Sequence, residues 1–245
     1  MPRFRLTIEY DGTLFQGWQA QSVGATVQGI IEAALEKLHG TRIVVHCAGR
    51  TDAGVHAWGQ VAHIDVPREW DPFVLMQAIN GNVRPHLVSV LEAHVVGEDF
   101  HARFSAVKRR YTFRILNRRA PPTIEKNKVW HVPVPLNADA MHEAAQFLVG
   151  HHDYSTFRDA QCQAKSPIKT IDKFEVMRFG EMIEVNVEAR SFLHQQVRSM
   201  TGSLKRVGEG RWKPIDVKLA LEARNRTACG PVAPPEGLYL VSVDY

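Results

Sequence analysis

The feature that most constrains the fold is the order in which apolar periodicity changes over the first hundred residues. Phe4, Leu6, Ile8 and Tyr10 alternate with polar neighbours, the period-2 pattern of a half-buried strand, and Asp11-Gly12-Thr13 ends it. Val27, Ile30, Ile31, Ala34, Leu35 and Leu38 recur at helical spacing, with Thr26 as N-cap and Gly40 as stop. Residues 42–48 and 60–66 read as strands. Asp71 caps a helix from Pro72 to about Ile79, with proline at the tolerated first position. Residues 88–96 read as another strand. Strand, helix, strand, strand, helix, strand is the order of a ferredoxin-like α+β unit.

The second half resembles the first loosely. Residues 109–116 read as a strand, and the polar, proline-containing stretch 117–127 as a loop. Residues 137–148 read as a helix, with Asn137 as N-cap and Gly150 as stop. A hairpin is expected over 169–179 and 182–189 around Gly180-Glu181, then helices over 192–207 and 216–223, and a closing strand over 238–243. The expected fold class is α+β. Two ferredoxin-like, RRM-like halves, 1–105 and 106–245, carry mainly antiparallel sheets that meet at a central cleft. The Asp52 loop and residues 108–111 are expected to line it.

Composition excludes other classes. Over 245 residues, 44% hydrophobic and 23% charged residues are those of an ordinary soluble globular protein. No apolar run reaches the length of a membrane span, and the N-terminus lacks a signal peptide's apolar core. Cys47, Cys162 and Cys229 are odd in number, far apart and without metal-ligand spacing, which fits a reducing cytoplasm. The net charge is only +4, but it is unevenly spread. Arg103, Lys108, Arg109, Arg110, Arg114, Arg118 and Arg119 fall in a stretch without Asp or Glu. Arg190, Arg198, Lys205, Arg206, Arg211 and Lys213 face one acid, Glu209. Two such blocks favour a surface that meets a polyanion over two solvated faces.

The segment Gly49-Arg50-Thr51-Asp52-Ala53-Gly54-Val55-His56-Ala57 follows an apolar run. Thr-Asp-Ala-Gly is ordinary turn chemistry. Yet arginine two residues from the aspartate keeps a carboxylate ionised and can grip a phosphate, and glycine lets the backbone approach a ligand. Asp52 is therefore either a turn residue or a nucleophile or base.

Lys108-Arg109-Arg110-Tyr111-Thr112-Phe113-Arg114 interleaves basic and aromatic side chains. On a strand, Tyr111 and Phe113 share one face and Arg110, Thr112 and Arg114 the other. Lys108 and Arg110 can hold phosphates, and Tyr111 can stack on an unpaired base or sit in the core. Phe113 reads as core. In the helix after Phe192, Leu193, Val197, Met200 and Leu204 form the inward stripe. Arg198 lies beside it, either solvated on a flank or paired with a carboxylate, for which Asp52 is a candidate. His151-His152-Asp153 has too few ligands for a metal and reads as a cap and turn. The loop of Asp11, Gly12, Phe15, Gly17 and Trp18 lacks the Gly-Lys-Ser/Thr ending of a phosphate-binding loop.

Together these segments resemble the tRNA pseudouridine synthase family of the TruA type. The likeness rests on Glu9-Tyr10-Asp11-Gly12, Phe15-Gln16-Gly17-Trp18-Gln19-Ala20-Gln21, Thr26-Val27-Gln28-Gly29 and the Asp52 segment. It continues through Phe100-His101-Ala102-Arg103-Phe104-Ser105-Ala106, Arg110-Tyr111, Phe192 to Met200, and Ala233-Pro234-Pro235-Glu236-Gly237-Leu238-Tyr239-Leu240. One departure is Val83-Arg84-Pro85-His86, where the family shows a Leu-Pro-x-Asp turn.

The resemblance implies isomerisation of uridine to pseudouridine at positions 38, 39 and 40 of the tRNA anticodon arm, by a cytoplasmic homodimer. Asp52 would be the catalytic aspartate. Tyr111 would stack on the target base and help remove its C5 proton, and Arg198 would pair with Asp52. Arg50, Lys108 and Arg110 would hold the RNA. No cofactor or metal is implied. The competing expectation is a non-catalytic RNA-binding protein with tandem ferredoxin-like halves, which would carry an acid in its RNA-facing segment at a cost in affinity. A metal-dependent nuclease would need more clustered carboxylates than the sequence offers.

Overall fold

The computed structural model describes residues 1–21 and 23–245. The chain forms two compact units, Met1–Val107 with Tyr239–Tyr245, and Lys108–Leu238. In the first unit the order is β1 (Arg3–Tyr10), α1 (Val27–His39), β2 (His46–Cys47), β3 (His56–Asp65), α2 (Pro72–Val83) and β4 (Val88–Val96). The second holds β5 (Lys108–Leu116), β6 (Trp130–His131), α3 (Ala138–Gln146), β7 (Gly150–Asp153), β8 (Ile168–Phe179), β9 (Met182–Ala189), α4 (Gln196–Gly208) and α5 (Pro214–Ala223). The last strand, β10 (Leu238–Asp244), belongs to the first unit from Tyr239 onward.

In the first unit β1 lies between β4 and β3 and pairs antiparallel with both: Leu6 faces Ala62 on one side and Ala93 on the other. β2 pairs antiparallel with the far edge of β3, His46 opposite His63. The strand order β4-β1-β3-β2 with two helices is the ferredoxin-like arrangement expected from the periodicity. Phe4, Leu6 and Ile8 are fully buried. Burying side chains of this size is worth roughly 1.5–3 kcal/mol each. Both helices start at the expected caps: the Thr26 hydroxyl accepts from Gly29 N at 3.2 Å and the Asp71 carboxylate from Val74 N at 3.0 Å.

The second unit is also α+β and mainly antiparallel, with strand order β5-β9-β8-β7 and a short parallel pairing of β6 on β5. Ile183, Val185, Val187 and Ala189 of β9 alternate into its core. Among the described residues, no helix is long and apolar enough to cross a membrane.

Several expectations change in detail. Of residues 42–48 only His46 and Cys47 form strand, because the buried Glu32 carboxylate accepts from Val45 N at 3.1 Å and takes the place of a neighbouring strand. The helix from Pro72 runs on to Val83. That from Asn137 ends at Gln146, and Gly150, at φ +111°, opens a strand instead of stopping a helix. His151-His152-Asp153 lie in that strand, not at a cap: His151 Nδ1 is 2.9 Å from Thr170 Oγ1, and His152 Nε2 2.9 Å from Val149 O. The helix expected from residue 192 begins at Gln196, whose side chain accepts from Leu193 N at 2.8 Å and closes a turn ahead of it. The boundary expected after residue 105 falls after Val107. The final strand joins the first unit because Tyr239 and Leu240 pair parallel with His56 and Ala57.

His63 on β3 is buried, accepts from Ala102 N at its Nδ1 (3.2 Å) and lies against His46 and His101, ring centroids 4.9 and 4.7 Å away. Burial first, then the neighbouring His46, His101 and Arg3, pull its pKa down to about 4; Asp65 opposes them. The unfolded chain therefore binds a proton near pH 6.5 that the folded chain refuses until about pH 4. Stability from this residue is complete above pH 6.5 and is lost as pH falls toward 4, by up to roughly 3 kcal/mol. Thermal melts across pH 7 to 4 are expected to show this slope, and His63→Gln to flatten it. Parallel slopes in the two proteins would assign the acid sensitivity elsewhere.

Candidate active site

Asp52 sits on the loop that leads into β3. Its carbonyl accepts from Val55 N at 3.1 Å, with Gly54 at φ +78°, so the turn reading of this segment is correct as local structure. What distinguishes this turn is how it is held. Trp18 N donates to Thr51 O at 3.1 Å and Gly54 N to Phe15 O at 3.4 Å. The Tyr10 hydroxyl is 2.7 Å from Thr51 Oγ1, and the buried Gln60 amide donates to Gly49 O at 2.7 Å. His56, just past the loop, accepts from Gly12 N at 3.0 Å and stacks on Tyr239 at 4.7 Å. Asp52 is half-buried, and Arg50 is exposed.

This frame explains the glycine-aromatic loop that follows β1. A Cβ at Gly12 would stand 2.1 Å from Val55 O. One at Gly17, where φ is +85°, would stand 2.7 Å from Thr51 O. Only glycine lets the two loops come so close. Phe15 and Trp18 are buried and anchor the framing loop from below. The sequence offered the signal, two glycines interleaved with aromatics.

The other candidates lie on the second unit. Tyr111 and Phe113 share the core face of β5, opposite Val187 and Val185 of β9. Phe113 is fully buried, whereas Tyr111 is half-buried, edge-on to Phe192 with centroids 5.3 Å apart. Lys108 and Arg110, on the other face, both reach Glu188, at 3.2 and 3.5 Å. The neighbouring Arg109 is buried and donates to Arg190 O. Arg198 is half-buried near the start of α4; its Nε donates to Ala233 O at 2.8 Å, and Ala233 N returns a bond to Arg198 O at 3.0 Å. Gly202, one turn on, admits this contact, since a Cβ there would stand 1.7 Å from Pro231 O. Arg198 is thus held by its own backbone and side chain against the 230–233 segment.

The first basic block is less bare in space than in sequence. Besides Glu188, Glu125 pairs with Arg114 at 3.1 Å and Glu181 with Arg118 at 2.9 Å. Sheet register and loop closure bring in acids from residues far along the chain. Cys47, Cys162 and Cys229 are free thiols. Among the described residues, no group of three or more His, Cys, Asp or Glu is placed to hold a metal ion. The departure at residues 83–86 keeps a closed turn, His86 N donating to Val83 O at 3.0 Å, with Arg84 exposed.

Comparisons with known proteins give the family. A family model described as tRNA pseudouridine synthase matches residues 6–105 and 144–245. Proteins named tRNA pseudouridine synthase A align along the whole chain. The one from Rhodopseudomonas palustris strain HaA2 is 58% identical over 245 residues, covering 100% of both chains. Those from Caulobacter sp. strain K31 and Paramagnetospirillum magneticum strain AMB-1 are 59% and 57% identical, covering 100% of this chain and 98% and 96% of theirs. A solved chain from a Cbf5-Nop10-Gar1 complex covers 97% of this chain and 47% of its own, at 11% identity and a TM-score of 0.33, too low to bear on the fold.

Proposed function

Because the chain belongs to the tRNA pseudouridine synthase family, we propose that it isomerises uridine to pseudouridine at positions 38, 39 and 40 of the tRNA anticodon arm, with Asp52 as the catalytic carboxylate. The observation that supports this most is the holding of the Asp52 loop from both flanks. A carboxylate that must meet one atom of a substrate needs its backbone fixed in advance.

The reaction breaks the N1–C1′ bond of uridine, turns the uracil, and joins C5 to C1′. The C5 proton leaves and N1 gains one, so no electrons or external group are exchanged and no cofactor is called for. Asp52 serves either as nucleophile, in a transient covalent adduct, or as base, removing a sugar proton to give a glycal. The uridine must first leave its stack, so binding includes base extrusion. Tyr111 is proposed to stack on the extruded uracil and carry the C5 proton, and Arg198 to be the cationic partner of the carboxylate. Arg50, Lys108 and Arg110 are proposed to hold the RNA backbone. Action as a homodimer in the cytoplasm belongs to the same proposal. The alternative of a non-catalytic RNA-binding protein is disfavoured by family membership.

The test is tritium release from a tRNA transcript carrying C5-tritiated uridine. Wild type is expected to release tritium from a transcript with uridine at positions 38–40 and none when those positions are cytidine. Equal release from both transcripts would overturn the positional assignment, and no release from either the reaction. In the same assay Tyr111→Phe is expected to lose about 100-fold or more in rate, the usual contribution of a group that moves a proton, while still binding RNA. Near-normal turnover would leave Tyr111 a stacking platform only.

A further inference from the structure

Beyond the residues given roles above stands an exposed aromatic of the first unit, Phe104. Phe104 is 70% exposed on the 100–105 loop of the first unit. It is not a loose tip, because every backbone N–H from His101 to Ser105 is engaged. His101 N donates to Ser105 Oγ at 2.9 Å and Ala102 N to His63 Nδ1 at 3.2 Å. Arg103 N and Phe104 N donate to His101 Nδ1 at 3.1 and 3.4 Å, and Ser105 N to His101 O at 2.9 Å. Tyr245 adds a bond to Ala102 O at 2.8 Å. The loop thus presents a phenyl ring to solvent in a fixed place.

The surroundings are aromatic and cationic. The His101 ring lies 4.4 Å from that of Phe104, and the Arg103 guanidinium 5.5 Å from the Phe104 centroid. His46, exposed on β2, is 5.9 Å from His101. The charged groups that bear on His101 are His46, Arg3 and Arg103. β2 runs within three residues into Arg50 and the Asp52 turn, and Arg50 and Arg103 both lie within electrostatic reach of the Cys47 thiol. The strand that carries His46 thus leads along the chain into the candidate active-site loop. A rigid π face beside guanidinium groups matches an unpaired base on a phosphate chain, whereas a second apolar surface has no use for those cations.

We propose that Phe104, flanked by His101 and Arg103, is a stacking platform for an unpaired nucleotide of the substrate RNA other than the reacting uridine, with Arg103 and Arg50 on its neighbouring phosphates. The proposal rests on the tRNA reading above. A second stacked base orients the RNA before the uridine turns out, and a preorganised loop lowers the entropic cost of holding it.

The experiment measures the Kd of an unmodified tRNA transcript, its dependence on salt, and kcat/KM by tritium release. Phe104→Ala is expected to raise Kd about 10- to 100-fold, the effect of losing one base–aromatic stack, and to lower kcat/KM alike, with an unchanged salt slope. Phe104→Tyr is expected to bind within threefold of wild type, and Phe104→Leu, apolar but without a π face, to behave like the alanine variant. Arg103→Gln is expected to reduce the salt slope by about one phosphate contact. Wild-type affinity in Phe104→Ala, or rescue by leucine as good as by tyrosine, would overturn the platform. So would a change of oligomeric state in Phe104→Ala by sedimentation, which would assign the ring to a protein interface. Failure of the underlying reading is distinguishable: wild type itself then releases no tritium.

Discussion

Asp52→Ala is expected to abolish isomerisation, with tritium release from the uridine transcript falling by at least about 10⁴-fold, equivalent to roughly 5.5 kcal/mol of transition-state stabilisation. Both chemical routes open to the carboxylate lose their first step without it. An alanine can neither attack C6 or C1′ nor accept a sugar proton, and water has no fixed position from which to replace it. The loop itself should survive. Bonds through the backbone of Gly49, Thr51, Gly54 and Val55 and the side chains of Tyr10, Thr51 and Gln60 help to hold it, and all of these remain. The melting temperature and transcript affinity are therefore expected to stay close to wild type. Asp52→Asn keeps the volume and removes the charge, and it should be equally inactive. Substantial turnover by either pure, folded variant would remove Asp52 from the chemistry.

Gly12→Ala is expected to cost at least about 100-fold in kcat while leaving Asp52 and every other candidate side chain in the chain. A Cβ at this position stands 2.1 Å from Val55 O, 2.5 Å from Val55 C and 2.9 Å from Gly54 C, all backbone atoms that cannot swing aside. The turn must move by the order of an ångström, and a misplacement of that size in a reacting group costs about 100-fold. Forced overpacking also costs roughly 1–3 kcal/mol in stability, readable as a lower melting temperature. Gly81→Ala is the control. Gly81 lies in α2 with nothing within 4 Å of an added Cβ, so activity should not change, and stability should rise slightly. A Gly12→Ala protein with wild-type kcat would show that the framing loop does not aim the carboxylate.

Much of the first unit was legible because its elements follow local rules. β1 alternates on both sides of the pleat, and Thr26 and Asp71 cap the helices their positions announced. The misreadings share one cause. Residues 42–48 look like a strand by side-chain pattern, but strand requires a partner for each backbone group. Glu32, ten residues or more upstream, took that place at Val45. The helix that carries Arg198 starts late because Gln196 turns back to bond Leu193 N, a side-chain choice no apolar spacing records. The charge blocks misled in the same way, since Glu188 reaches Lys108 and Arg110 only across the register of β5 and β9.

By itself the sequence named the candidates for the chemistry. An aspartate between an arginine and a glycine, a tyrosine on a basic strand and an arginine beside an apolar helical stripe are properties of residue type and short spacing. These survive any error in the fold. Only the tertiary structure decided what holds Asp52 still. Gly12, Gly17, Tyr10 and Gln60 come from two strands and a loop up to about forty residues away, and their effect depends on hydrogen bonds of 2.7 Å and on backbones too close to admit a Cβ. Contacts at that distance are set by packing of the whole unit, and no local pattern encodes them.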